Sequence, residues 1–159
     1  MYRTGFAALL GLVAAGLLAT GAGAVEDKKA EGKADDKHMA MFKDCAKACD
    51  DCKRMCDTCG AHCAKMLADG QKMHYESLKT CQDCAAICAA AACVTAKQGP
   101  FSDIICTACA DACKRCGDTC EKHAAHDAMM KECAAECRKC EKACRDMLAH
   151  VKPAAAPAK

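Results

Sequence analysis

Six cysteines stand between residues 45 and 63 at steps of four, three, four, three and four: Cys45, Cys49, Cys52, Cys56, Cys59 and Cys63. That alternation places every one of them on a single face of an α-helix. A helix face turned towards a neighbour ordinarily carries Leu, Ile or Val. Here it carries thiols, and charged residues such as Asp50, Lys53 and Arg54 fill the space between them. Thiols in this number pair as disulfides, bind metal, or exchange electrons.

The remaining cysteines repeat the scheme. Cys81, Cys84 and Cys88 share one face, with His74 two turns earlier on it; Cys93 lies off that face but is kept among the candidate ligands. Cys106, Cys109, Cys113, Cys116 and Cys120 form a third seam and Cys133, Cys137, Cys140 and Cys144 a fourth. CKRMCDTC at 52–59 resembles CKRCGDTC at 113–120, a weak internal repeat.

These seams require helices to carry them. The spacing predicts helices over 37–69, 71–97, 100–123 and 127–150, with Gly70 as a stop and Gln98-Gly99-Pro100 as a break. No Gly or Pro separates the last two, but a turn at 124–127 lets the thiol faces bury one another. The expected fold is all-α: an antiparallel four-helix bundle with a cysteine-lined core, occupying 37–150.

Around it, residues 1–24 read as a signal peptide: Arg3, a short apolar run from Phe6 to Ala19, and the small-x-small Ala22-Gly23-Ala24. The expectation is general secretion, cleavage near Ala24, and a periplasmic or extracellular protein. Residues 25–36 read as a flexible leader and 151–159 as a disordered tail. Beyond residue 24 the chain has 22 basic and 21 acidic residues, which argues against nucleic acid or an anionic membrane as main partner. Only Phe42, Tyr75 and Phe101 are aromatic there, so the cysteines must contribute to folding. There is no nucleophile elbow, phosphate loop or paired carboxylate in an apolar setting, so the chain reads as a binding protein and not an enzyme.

Three interiors compete. Disulfides suit an oxidising compartment, but neighbours on a helix face have Cβ atoms about 5–6 Å apart against the 3.8 Å a disulfide wants. For a zinc or heavy-metal sequestering protein, zinc takes four thiolates per ion, so about five ions for 19 cysteines would leave close to nine negative charges in a narrow core, and an iron–sulfur cluster needs a few well-spaced cysteines rather than an unbroken lining. Cu(I) is soft and singly charged, and one ion per thiolate gives a neutral core.

The CxxxC and CxxC runs on four helices, the Gly99-Pro100-Phe101 turn, and the segment from Cys120 through His123 to Cys144 resemble the bacterial cysteine-rich copper storage proteins of the Csp type. The resemblance covers nearly all of 38–148. It implies a four-helix bundle storing many Cu(I) ions through the 19 cysteines, assembled in some members as a tetramer, with a copper enzyme or chaperone as donor or recipient. The alanine-rich outer face of the second helix, Ala85, Ala86, Ala89, Ala90 and Ala92, is the candidate surface for a homo-oligomer. An antiparallel bundle gathers Met66, Met73, His74, His123, His126, Met129 and Met130 at one end, read as a mouth where thioether and imidazole accept copper. His38, Met41 and Met147 gather at the other. His62 and Met55 flank the first seam and are left out.

Overall fold

The computed structural model describes the backbone of residues 23–151 and the side chains of 36–151. The chain forms α1 (Gly23–Ala68), a 3-10 turn (Lys72–His74), α2 (Tyr75–Ala96), α3 (Ser102–Glu121) and α4 (Ala128–Leu148), with no strand among the described residues. α1 packs on α2 and α4, and α3 packs on the same two, so four antiparallel helices ring one interior. No helix of the described residues is long and apolar enough to cross a membrane. The expected signal peptide over 1–24 lies outside the described residues, save the helical backbone of Gly23 and Ala24.

α1 has 46 residues against 20 to 22 in the others, so at 1.5 Å per residue it is about 69 Å long and overhangs its neighbours. The segment 25–36, expected as a leader, has helical backbone within α1. Ala, Glu and Lys are good helix formers, and Glu26 and Asp27 sit near the positive end of the dipole. The segment extends a helix already nucleated by packing, and elongation needs no second nucleus.

Each connection has a local cause. Gly70 adopts φ +85°, and the Gln71 N–H reaches back to the Met66 carbonyl, closing α1 with a left-handed residue. After α2 it is Gln98, not Gly99, that takes the left-handed conformation, at φ 51°. Gly99 is needed for closeness instead, because a Cβ there would lie 3.2 Å from Val94 Cγ1. Asp127 starts α4 from extended backbone, its carboxylate accepting the N–H groups of Met129 and Met130. That cap supplies the stop between α3 and α4 that no Gly or Pro provides.

The interior is built from the thiol seams with Ala85, Ala91, Ala110 and Ala134 where helices approach closely. Ala85 therefore belongs to the core and not to the outer face expected for it; Ala86 and Ala90 are exposed. Outside, Arg138 of α4 lies across α3, donating to Asp118, Glu121 and the Lys114 carbonyl. Gly117 leaves it room, since a Cβ there would meet the guanidinium carbon at 3.0 Å. Val151 is partly buried against the core, so the expected tail begins one residue later and lies outside the described residues.

Candidate metal centre

Helical phase brings 18 of the 19 cysteines into the core and leaves all of them as free thiols. Cys93 is the exception. It is exposed on the outer side of α2, which corrects its place among the candidate ligands. Its step of five from Cys88 rotates it away from the seam.

The sulfurs meet mostly across the bundle, and along one helix at Cys52–Cys56, Cys84–Cys88 and Cys109–Cys113. Cys49 lies 3.6 Å from Cys144, Cys88 3.6 Å from Cys109, Cys81 3.7 Å from Cys116, and Cys52 3.8 Å from Cys113. No disulfide forms among the described residues.

The thiols fall into quartets whose sulfurs lie within 4.8 Å of one another. One is Cys49, Cys109, Cys140 and Cys144. The next are Cys52, Cys84, Cys88 and Cys113, then Cys52, Cys56, Cys84 and Cys137, then Cys56, Cys116, Cys133 and Cys137. A further one is Cys59, Cys81, Cys120 and Cys133. The last four of these share members in succession: Cys52 and Cys84 serve two, as do Cys56 and Cys137, and so does Cys133. Sulfurs about 3.8 Å apart fit the edge of a tetrahedral thiolate site at about 2.3 Å from a metal. Shared corners exclude a separate four-thiolate ion in every quartet and require bridging sulfurs.

Protonation follows from this crowding. A hydrogen bond from Cys113 holds Cys84 down, to about 6. Burial, and then the charges of Cys59 and Cys81, push Cys63 up to about 12. Cys140 is driven well above the ordinary thiol range, first by Cys109. Most of the shifted core thiols are raised in this way and hold their protons, while Cys52, Cys59, Cys109 and Cys116 are held down by their cysteine neighbours; a metal ion displaces the protons that remain.

The two ends differ. At one, Phe42 and Met147 are buried, the Thr95 hydroxyl sits 3.2 Å from Cys106 Sγ, and a cavity of about 400 Å³ is lined by Met39, Phe42 and Ala96. His38 is exposed there, its ring 4.8 Å from Phe42, and Met41 is half-buried. At the other end Met66, Met73, His74, His123 and His126 line one cavity of about 430 Å³. Met73 is exposed, Met129 packs partly against the core, and Met130 is wholly inside, its Sδ 3.5 Å from Cys59 and 3.7 Å from Cys63.

Four residues that matter escaped the sequence. His62 lines the same cavity, with Nε2 2.7 Å from the Asp127 carboxylate. Burial alone would raise the Asp127 carboxyl, but His62 and the N–H groups of Met130 and Met129 outweigh it and hold it below the usual range. Ser77 and Thr95 are buried on the α2 seam, one step before Cys81 and two after Cys88. Their phase was the available signal.

The family model described as "Copper storage protein" matches residues 38–149. Among solved structures, the chain is similar to a cytosolic copper storage protein from Streptomyces lividans in a copper-loading study with five coppers. Identity is 30%, over 72% of this chain and 98% of that one, at a TM-score of 0.66. The protein from the same organism loaded with 10 copper equivalents is 31% identical over 72% and 86%, at 0.63. The apo form of copper storage protein 3 from Bacillus subtilis is 33% identical over 66% and 96%, at 0.58. No curated protein matches the chain. The Streptomyces relative is described as cytosolic, which overturns the expectation of export to the periplasm or the outside.

Proposed function

The chain belongs to the copper storage protein family, and from that premise we propose that it takes up and stores many Cu(I) ions on the thiolates of its core. The observation that carries this reading is the chain of overlapping quartets. Cu(I) accepts low coordination by soft, bridging sulfur, and its single charge balances one thiolate each. Zinc takes four thiolate ligands per ion, so fewer ions would fit and the core would be left negative. The ligands proposed are the 18 buried cysteines, without Cys93.

The cavity end is proposed as the mouth. Met66, His74, His123 and Met130 there offer neutral donors that hold Cu(I) briefly and pass it to Cys59 and Cys63. Met73, Met129 and His126 assist at the rim; His38, Met41 and Met147 at the far end are spectators. The bundle domain is assigned 37–150. A copper enzyme or chaperone serves as donor or recipient, and self-association uses the exposed Ala86 and Ala90 of α2; a monomer by sedimentation at micromolar concentration sinks that last assignment.

Anaerobic titration of the reduced protein with Cu(I) is the decisive experiment. Capacity should fall between about 13 and 20 ions, near one per buried thiol. A plateau near five would restore the zinc-like reading.

A further inference from the structure

The cavity at the mouth carries donors of a second kind. His74 is 3% exposed, and its Nδ1 has no hydrogen-bond partner. A buried imidazole nitrogen left unpaired costs free energy unless something outside the chain satisfies it. The ring of His123 lies 5.2 Å from that of His74, and the ring of His62 lies 6.0 Å from it on another side.

Two imidazoles on one tetrahedral zinc, at Zn–N of about 2.0–2.1 Å, have their ring centroids about 5 Å apart. The His74–His123 pair, its ring planes 30° apart, has that separation, and the His62–His74 pair, its planes at 87°, is about 1 Å wider.

His62 is also prepared for the role. Its Nε2–H donates to Asp127 Oδ2 at 2.7 Å, which leaves Nδ1 with the lone pair. A carboxylate behind a histidine is the usual support of a metal-bound imidazole. Asp127 is itself fixed, because its other oxygen caps α4.

We infer that His62, His74 and His123, backed by Asp127, form a site for one divalent d-block cation such as zinc, distinct from the thiol file and lying across its mouth. Imidazole with carboxylate suits a borderline divalent ion better than thioether does, and three histidines leave the fourth position for water. The ion closes the end of a filled store. The site rests on the geometry alone; its effect on copper rests on the reading of this end as the mouth.

The test uses full-length protein already filled with Cu(I), so that its thiolates are occupied. It is dialysed against zinc chloride, and both metals are counted. One zinc per chain should remain with copper content unchanged. His62→Ala, checked for wild-type copper capacity, should weaken zinc retention at least tenfold, and Asp127→Asn by about 10–100-fold. Zinc should slow copper removal by a Cu(I) chelator at least tenfold in wild type and not in His62→Ala. No retained zinc, zinc retained equally by the variants, or copper lost as zinc enters overturns the site. Zinc retained as expected with copper removal unchanged overturns the mouth and leaves the site standing.

Discussion

At the scale of single residues, position on the helix decides what a cysteine does. Cys93 and Cys56 are the same side chain, one exposed and one shared between two quartets. Cys93→Ser should leave Cu(I) capacity unchanged, whereas Cys56→Ser should remove one or two ions, counted by anaerobic titration. Cys84, held at about 6 by Cys113, is one of five core thiols whose cysteine neighbours favour the thiolate, with Cys52, Cys59, Cys109 and Cys116. Cys84→Ser should therefore lower the affinity for the first copper equivalent in competition with a chelator, more than its loss of one ligand lowers capacity. The 3-and-4 alternation made the 18 buried thiols legible in advance, because a helical period maps directly onto a face. It did not reveal His62, one position from the seam. At the end of a bundle the helices no longer cover their flanks, and neighbours of the seam join the lining.

At the scale of elements, the turn between α3 and α4 hangs on one carboxylate. Asp127→Ala should cost about 1 kcal/mol, the usual loss for an N-cap, measured by denaturant unfolding of the apo protein. Its folded pKa lies below the unfolded 3.8, so its contribution is complete above that value and disappears as pH falls through the folded value. The difference between Asp127→Ala and wild type should accordingly vanish in acid and persist from pH 5 upward. Arg138 joins α3 to α4 over Gly117, and Arg138→Ala should destabilise by about 1 kcal/mol or less, since the group is a third exposed. The order and boundaries of the four helices were readable to within a few residues. The helical stretch before residue 37 was not, because it has no apolar period, and its helicity comes from propensity and from continuation of α1.

At the scale of the whole molecule, folding and filling are one equilibrium. The core contains thiols and alanines where an ordinary bundle has branched aliphatics, so the apo protein has little apolar surface to bury. Copper binds the native core and cross-links all four helices, so the melting temperature should climb with each equivalent added, as calorimetry would show. Filling must also expel the protons that the crowded thiols retain. About one proton per Cu(I) should appear in weakly buffered solution, and copper should be held less tightly as pH falls. A melting temperature that ignores copper would place the metal outside the core.

With the cavity of the histidines as the proposed mouth, the far end, where Phe42, Met147 and Thr95 are buried, would give the store a direction in time. A tube filled and emptied through one end is a stack: what enters first is pushed deepest, and what enters last leaves first. Protein half-filled with one copper isotope and then completed with another should yield the second isotope first when a chelator draws the metal out. The innermost ions, around Cys45, Cys106 and Cys144, would be the oldest in the molecule, turned over only when it has been emptied.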